Sequence, residues 1–290
     1  MKIRAVALGL FDGVHLGHRE VIKYPVQLEK YGFIPSVFTF KNSSLSEKQG
    51  RSIEYIYTDV QKESIIKDLG IKEIFSEDFN TIKDLNGEEF VREILIKKVN
   101  AGYVICGNDF KFGKRASCGI RELSELGKKY DFKVKIADNI KLQNEIVSSR
   151  KIRGLISIGY ISSANLMLGS DYHIDGEVVH GRQLGRTLNF PTINQVFEPN
   201  QLVPKKGVYQ SSTEIDGILY ESITNIGIKP TVGAEVKPLS ETHILNFSND
   251  IYGKNIKVTL KRFIRDEKKF ASVQELRSQI FKDIDSVKNK

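Results

Sequence analysis

"IRAVALGLFDGVHLGH", Ile3 to His18, decides how the first half of the chain is read. Ala5–Leu8 is an apolar run, and Gly9, Gly13 and Gly17 follow it at intervals of four. A short apolar run closed by glycine fits a strand of a parallel sheet, buried on both faces. Gly9 ends that strand, Gly13 permits a tight turn, and Gly17 allows close approach in the first turn of a helix. The free N–H groups of a helix N-terminus attract anions, and His15 and His18, three residues apart, project from one face toward the same point. The glycine spacing matches neither the GxGxxG dinucleotide fingerprint nor a Walker loop. "GNDFKFGKR" (107–115) also fails as a Walker loop, with five residues between its glycines and Arg115 after the lysine. A zinc site would need a third ligand, and the other histidines, His173, His180 and His243, all lie in the second half. The alternative to anion binding is a packed histidine pair, which would give the three glycines no purpose.

Outward from this stretch, short apolar runs alternate with amphipathic ones up to about residue 168: "IPSVFTF", "DVQKESIIKDLG", "IKEIFS", "GEEFVREILIKKV", "AGYVICG", "IRELSELGKKYDF" and "KVKIAD". That rhythm predicts a doubly wound α/β domain with a parallel sheet. Beyond "ISSANLMLGSDY" the pattern changes to short strands separated by turn residues. Asp216-Gly217 predicts a tight hairpin, and Ile256, Val258 and Leu260 alternate with Lys257, Thr259 and Lys261. These features predict a small antiparallel β-barrel. The chain then reads "SVQELRSQIFKDIDSV", where Ser272 and Glu275 form a capping-box pattern and Val273, Leu276, Ile280, Ile284 and Val287 share one helical face. A C-terminal helix packed on the barrel is expected, with domains at 1–168 and 169–290.

A chain of 290 residues accommodates two such cores. No apolar run approaches the ~20 residues of a membrane span, and the first residues meet charge and glycine too early for a signal peptide. Cys106 and Cys118 have no metal or redox spacing and read as reduced thiols of a soluble, cytoplasmic protein. The formal charge of +8 suits an anionic partner, yet the lysines are scattered in ones and twos and no nucleic-acid-binding signature accompanies them. Charge alone decides nothing between nucleic acid, a membrane surface and a phosphorylated small molecule. A basic nucleic-acid-binding protein stays as a further reading that only the charge supports, while the partners expected are small molecules, with no nucleic acid and no membrane.

In the second half, "GEVVHGRQLGRTLNFPTIN" (176–194) places Gly181 and Gly185 around a basic loop holding Arg182 and Arg186, able to fold over a polyphosphate. Thr192 and Asn194 bracket Ile193, so on a strand they share a face and offer oxygens to a hard cation. A strand edge with an Asx turn is the plainer reading of "PTIN" alone.

These residues carry a resemblance. "GLFDGVHLGH" resembles the HxGH signature of the nucleotidylyltransferase superfamily. Its wording, with "GNDFKFG" and "VSSRKIRGLI" further on, is similar to the N-terminal half of the bacterial bifunctional riboflavin kinase/FMN adenylyltransferases, the FAD synthetases. "RTLNFPTIN" resembles the riboflavin kinase signature, and "GVYQ", "NIGIKPT", "ETHILNF", "DIYGK" and "RFIRDEKKF" follow in family order. The resemblance implies conversion of riboflavin to FMN and of FMN to FAD, with ATP as co-substrate and Mg²⁺ as cofactor. By the same carry-over, His15, His18, Ser149 and Arg153, with Gly9, Phe11, Gly13 and Gly17, hold ATP in the first half. Asn108 and Asp109 face the flavin nucleotide. In the second half Thr192 and Asn194 bind Mg·ATP, Gly181, Gly185 and Arg186 close over its phosphates, Glu241 is the base, and Arg265 lies at the flavin. No obligate protein partner is implied.

Three departures fall in the first half. "KNSSLSEKQG" (41–50) stands where the family carries Glu-Pro-His-Pro, Leu10 where asparagine or threonine is common, and Arg150-Lys151 where threonine and arginine are usual. A flexible segment at 41–50 predicts weak affinity for FMN, so that FMN accumulates ahead of FAD. The alternative is a riboflavin kinase whose N-terminal domain only binds nucleotide or flavin.

Overall fold

The structure, a computed structural model, describes residues 3–45, 54–180, 190–230 and 236–288. The chain divides into two compact units, Met1–Lys151 and Ile152–Lys290.

The first unit is built on strands β1 (Arg4–Leu8), β2 (Ile34–Phe40), β3 (Glu73–Glu77), β4 (Ala101–Gly107) and β5 (Lys133–Ala137), all parallel, in the order β3-β2-β1-β4-β5. Around them run α1 (Leu16–Leu28), α2 (Asn42–Leu45), α3 (Asp59–Asp68), α4 (Gly87–Glu89, continued as a π-helix over Phe90–Lys98) and α5 (Ile120–Lys129). The expected doubly wound sheet is present, and the apolar run of β1 explains it. Val6 and Leu8 face a core containing Phe38, Phe90 and Leu95, whereas Ala5 and Ala7 face one containing Val21, Ile22 and Ile66. A strand covered on both faces needs apolar residues at every position, which is why Ala5–Leu8 shows no alternation. The chain winds outward from β1 through β2 to β3, then returns past β1 to β4. The crevice between the carboxyl ends of β1 and β4 is thus the switch point at which ligands bind in open α/β sheets.

One expectation changes here. Within the segment read as flexible, Asn42–Leu45 forms a helical turn with Ser44 and Leu45 buried, while 46–50 lies outside the described residues. After β5 come a small hairpin, β6 (Lys141–Leu142) and β7 (Glu145–Ile146), then α6 (Ser149–Ser157) and α7 (Ile161–Leu168).

The second unit is the expected barrel. Strands β8 (His173–Glu177), β9 (Thr192–Val196), β10 (Gly207–Ile215), β11 (Ile218–Pro230), β12 (Val236–Ile244) and β13 (Asn255–Arg265) are antiparallel neighbours in the order β8-β13-β10-β11-β12-β9. Closure comes from a bridge in which the Val179 N–H donates to the Asn194 carbonyl at 2.8 Å. Gln195 reinforces it by donating to the carbonyls of Gly176 and Ile256, at 2.8 and 2.6 Å. Asp216 and Gly217 turn β10 into β11 with φ of 50° and 78°, as a two-residue hairpin requires. Ile256, Val258 and Leu260 are buried as their alternation predicts. Also buried is a chain of hydroxyls, Thr242–Thr224–Ser211–Ser222–Thr213, linked at 2.8–2.9 Å. Each hydroxyl satisfies the next, so these polar residues sit in the interior at little cost. Helix α8 (Val273–Lys288) packs Ile284 and Val287 against Phe190, Val208, Ile223 and Leu245. Its first turn does not join the stripe, since Val273 is 62% exposed.

Candidate active site

In the first unit the site is the loop from β1 into α1. Phe11, Gly13 and Val14 have φ of 53°, 81° and 42°. Only glycine enters this left-handed region freely, and for a β-branched valine it is a genuine outlier costing roughly 1–3 kcal/mol. The loop is held in place from outside. Thr39 Oγ1 donates to the Leu10 carbonyl at 3.1 Å, the Ile56 N–H donates to Asp12 Oδ1 at 2.9 Å, and Ser149 Oγ donates to the Asp12 carbonyl at 2.8 Å.

The loop delivers His15 to the N-cap of α1, where Nδ1 accepts the His18 N–H at 3.3 Å. With Nδ1 an acceptor, the proton of the neutral ring sits on Nε2. The two imidazoles stack, with centroids 3.6 Å apart and planes 17° apart, and the Phe11 ring meets His18 edge-on at 5.3 Å. A Cβ on Gly17 would lie 3.2 Å from the His15 ring, and one on Gly9 would lie 3.0 Å from the Phe11 ring, so both glycines make room for these side chains. Burial pushes His15 down to about 4; burial, then the neighbouring His15, push His18 well below its ordinary value. At neutral pH the pair therefore offers N–H donors rather than positive charge. His18 Nδ1 is buried with no hydrogen-bond partner.

Asn108 and Asp109 directly follow β4, which pairs Cys106 with Leu8 of β1, so their loop flanks the same crevice as the histidine loop. Ser149 opens α6 with its hydroxyl on Asp12, and Arg153 follows four residues along that helix. Cys106 and Cys118 are free thiols, and burial, with Asp109 nearby, holds Cys106 up at about 12. Among the described residues no group of three histidines, cysteines or acids could hold a metal, and no helix is long and apolar enough to cross a membrane.

In the second unit, strand register assembles the site. Glu241 of β12 lies opposite Asn194 of β9 on one side and Asn225 of β11 on the other, so the three form a cross-strand row on one face. Thr192 is opposite His243 on that same face, two residues along. Asn194 is buried, and its Oδ1 has no hydrogen-bond partner. Beside Thr192 opens a pocket of about 540 Å³ between Pro191–Ile193 and the segment Phe247–Tyr252. His243 and Phe190, which sequence reasoning missed, hold this edge. The His243 Nδ1–H donates to the Pro191 carbonyl at 2.9 Å, and Phe190 meets His243 and Phe281 of α8 edge-on at 5.4 and 5.2 Å. Periodicity could not find them, because their partners come from three separate elements. Arg265, expected at the flavin, is engaged by α8: its guanidinium pairs with Asp283 at 2.7–3.1 Å and also donates to the Asp266 carbonyl. Gly181, Gly185 and Arg186 lie outside the described residues.

Residues 2–151 match the family model of FAD synthetase, and residues 168–290 match that of riboflavin kinase. The chain belongs to the bifunctional riboflavin kinase/FMN adenylyltransferase family. A member from Buchnera aphidicola of Schizaphis graminum is 36% identical, over 98% of this chain and 93% of its own length. One from Bacillus subtilis is 33% identical, over 96% and 89%. The crystal structure of a Streptococcus pneumoniae protein named a macrolide-efflux protein aligns with a TM-score of 0.87 at 29% identity, covering all of this chain and 95% of that one.

Proposed function

We propose that the chain makes FAD in two steps, phosphorylating riboflavin to FMN in residues 169–290 and adenylylating FMN in residues 1–168. The observation that carries this reading is that each family half keeps its own constellation: the stacked histidine pair at the switch point, and the Asn225–Glu241–Asn194 row on the barrel.

In adenylyl transfer an FMN phosphate oxygen attacks the α-phosphorus of ATP and pyrophosphate leaves, so no protein nucleophile is needed. The residues align the reactants and stabilise growing charge. His15 Nε2–H, His18 and the free N–H groups of α1 are donors fixed before the substrate arrives. Gly9, Phe11, Gly13 and Gly17 shape the loop that presents them. Ser149 and Arg153 complete the ATP side, and Asn108 and Asp109 take the flavin side across the crevice.

In the kinase, Glu241 accepts the proton of the riboflavin 5′-hydroxyl as that oxygen attacks the γ-phosphorus and ADP departs. Because phosphoryl transfer has a loose transition state, positioning outweighs proton removal. Magnesium fits this donor set: Asn194 Oδ1 is a buried oxygen without a partner, and Thr192 adds a hydroxyl from the same face. When bound there by Asn194 and Thr192, the ion would supply charge neutralisation along the ATP phosphates. Gly181, Gly185 and Arg186 are assigned to those phosphates by the family likeness alone, and Arg265 holds the helix beside the flavin. The setting is cytoplasmic and needs no protein partner.

Incubation of the full chain with riboflavin, ATP and Mg²⁺, followed by separation of the flavins, tests the reading. FMN followed by FAD is expected. FMN alone would leave only the kinase, and unchanged riboflavin would overturn the assignment.

A further inference from the structure

Behind the histidine loop lies a buried cluster to which neither half-reaction gives a role. Lys62 of α3 is 1% exposed, and its Nζ donates to the Phe40 carbonyl at 2.9 Å and to Asn42 Oδ1 at 3.0 Å, with Asp59 Oδ1 at 2.8 Å. Asn42 is tied at three points. Its N–H donates to both Asp59 oxygens at 3.1 and 3.0 Å, its Nδ2 donates to the Tyr57 carbonyl at 3.0 Å, and its Oδ1 accepts from Lys62. Two residues further, Ser44 Oγ donates to the Lys41 carbonyl at 2.7 Å and accepts the Phe79 N–H at 3.0 Å.

The cluster leads back to the site. The Tyr57 carbonyl held by Asn42 is next in the chain to the Ile56 N–H, which holds Asp12. Asp12 lies between Phe11 and Val14, the non-glycine residues of this loop at positive φ, and its carbonyl takes the Ser149 hydroxyl. Such strain persists only where the surroundings over-determine the backbone. Asp12 gives the loop two of its external anchors.

We propose that Asn42, Asp59 and Lys62 are positioning residues for adenylyl transfer, acting through Ile56 and Asp12 to hold the strained loop that presents His15 and His18. The proposal rests on the adenylyl-transfer reading above.

The test uses the full chain with Asn42→Ala, Asn42→Pro, Asp12→Ala and Asp12→Asn, with FMN varied at saturating Mg·ATP and the kinase measured in the same preparations. Asn42 is only half-buried and exchanges at modest risk to folding. Catalytic donors displaced by a fraction of an ångström should lower kcat for FAD formation about 10–100-fold in Asn42→Ala, Asn42→Pro and Asp12→Ala. KM for FMN should stay within about threefold, since Asn108 and Asp109 stand on a different loop, and kinase rates should be unchanged. Asp12→Asn keeps the acceptor for Ile56 and should restore kcat to within about threefold of wild type. The proposal is overturned by folded Asn42 variants with wild-type kcat, by a loss confined to KM, or by an Asp12→Asn variant as impaired as Asp12→Ala. Wild-type protein that makes no FAD at any FMN concentration would overturn the adenylyl-transfer reading itself, and the proposal with it.

Discussion

At the scale of single residues, the histidine pair proposed to hold ATP shows how burial chooses between two ways in which imidazoles can meet an anion. Two exposed imidazoles could bind phosphate as cations, but stacked at 3.6 Å and largely desolvated these two are neutral at pH 7 and, in the proposed site, would act as neutral donors. This has a consequence for stability. His15 falls from 6.5 to about 4, so between those values the unfolded chain binds more protons than the folded one and stability rises with pH. Its contribution is complete above about 6.5 and is lost as the pH falls toward 4, on the order of 3 kcal/mol at most. Proteolysis during a thermal ramp at pH 7 and pH 5, read from peptides of residues 3–45, should show the first unit weakening at the lower pH. His15→Gln with His18→Gln should flatten that difference, while peptides around His173, itself pushed down to about 4, keep theirs. Equal pH sensitivity in wild type and variant would disprove the assignment. The pair and its glycines were legible in the sequence because a strand, a turn and a helix start follow one another within sixteen residues. Asp12 was not, since its partners, Ile56 and Ser149, are 44 and 137 residues away.

At the scale of elements, α8 shows where periodicity stops informing. The apolar stripe was readable, and Ser272 does cap the helix, accepting the Glu275 N–H at 3.2 Å. Asp283 lies beside Ile284 within the buried part of that stripe, where a hydrophobic pattern assigns no charge. Its side chain is 5% exposed and that of Arg265 is 15% exposed, so the pair fixes the helix against β13 in a poorly solvated place. Breaking such a pair from one side leaves an uncompensated charge and costs about 3–5 kcal/mol. Asp283→Ala should therefore lower the melting temperature of the second unit by several degrees and slow FMN formation, because Phe281 supports Phe190 and through it the Pro191 edge. Replacing both partners by Arg265→Met with Asp283→Leu should recover most of the stability. If the double variant is as unstable as the single one, the loss comes from packing and not from the orphaned charge. The hydroxyl chain inside the barrel was hidden for a similar reason: serine and threonine carry no apolar signal of burial in a single strand. Only the facing strands show that each hydroxyl has another to bond.

At the scale of the whole molecule, the chain's change of period near residue 169 made two folds visible, and the register of the barrel explains why residues far apart in sequence form one site. Asn194, Asn225 and Glu241 are separated by 31 and 16 positions, yet β9, β12 and β11 place them in one row. Nothing in that row is shared with the crevice between β1 and β4, so the two reactions should be separable by mutation. Glu241→Gln keeps the size and the hydrogen-bonding oxygen but cannot accept a proton, and it should slow FMN formation while FAD formation from supplied FMN continues. The reciprocal variant, His15→Ala with His18→Ala, removes the donors proposed to meet charge that grows during adenylyl transfer. One such donor typically supplies ~3 kcal/mol of barrier lowering, roughly a hundredfold or more in rate. FAD formation should fall below detection while riboflavin is still converted to FMN, which then accumulates. Mixing the two variants provides the decisive measurement. Each supplies what the other lacks, so the mixture should convert riboflavin to FAD by way of FMN released into solution. If the mixture makes FMN but no FAD, although the Glu241→Gln protein alone adenylylates supplied FMN, the intermediate is not freely exchanged, and the independence of the two sites fails.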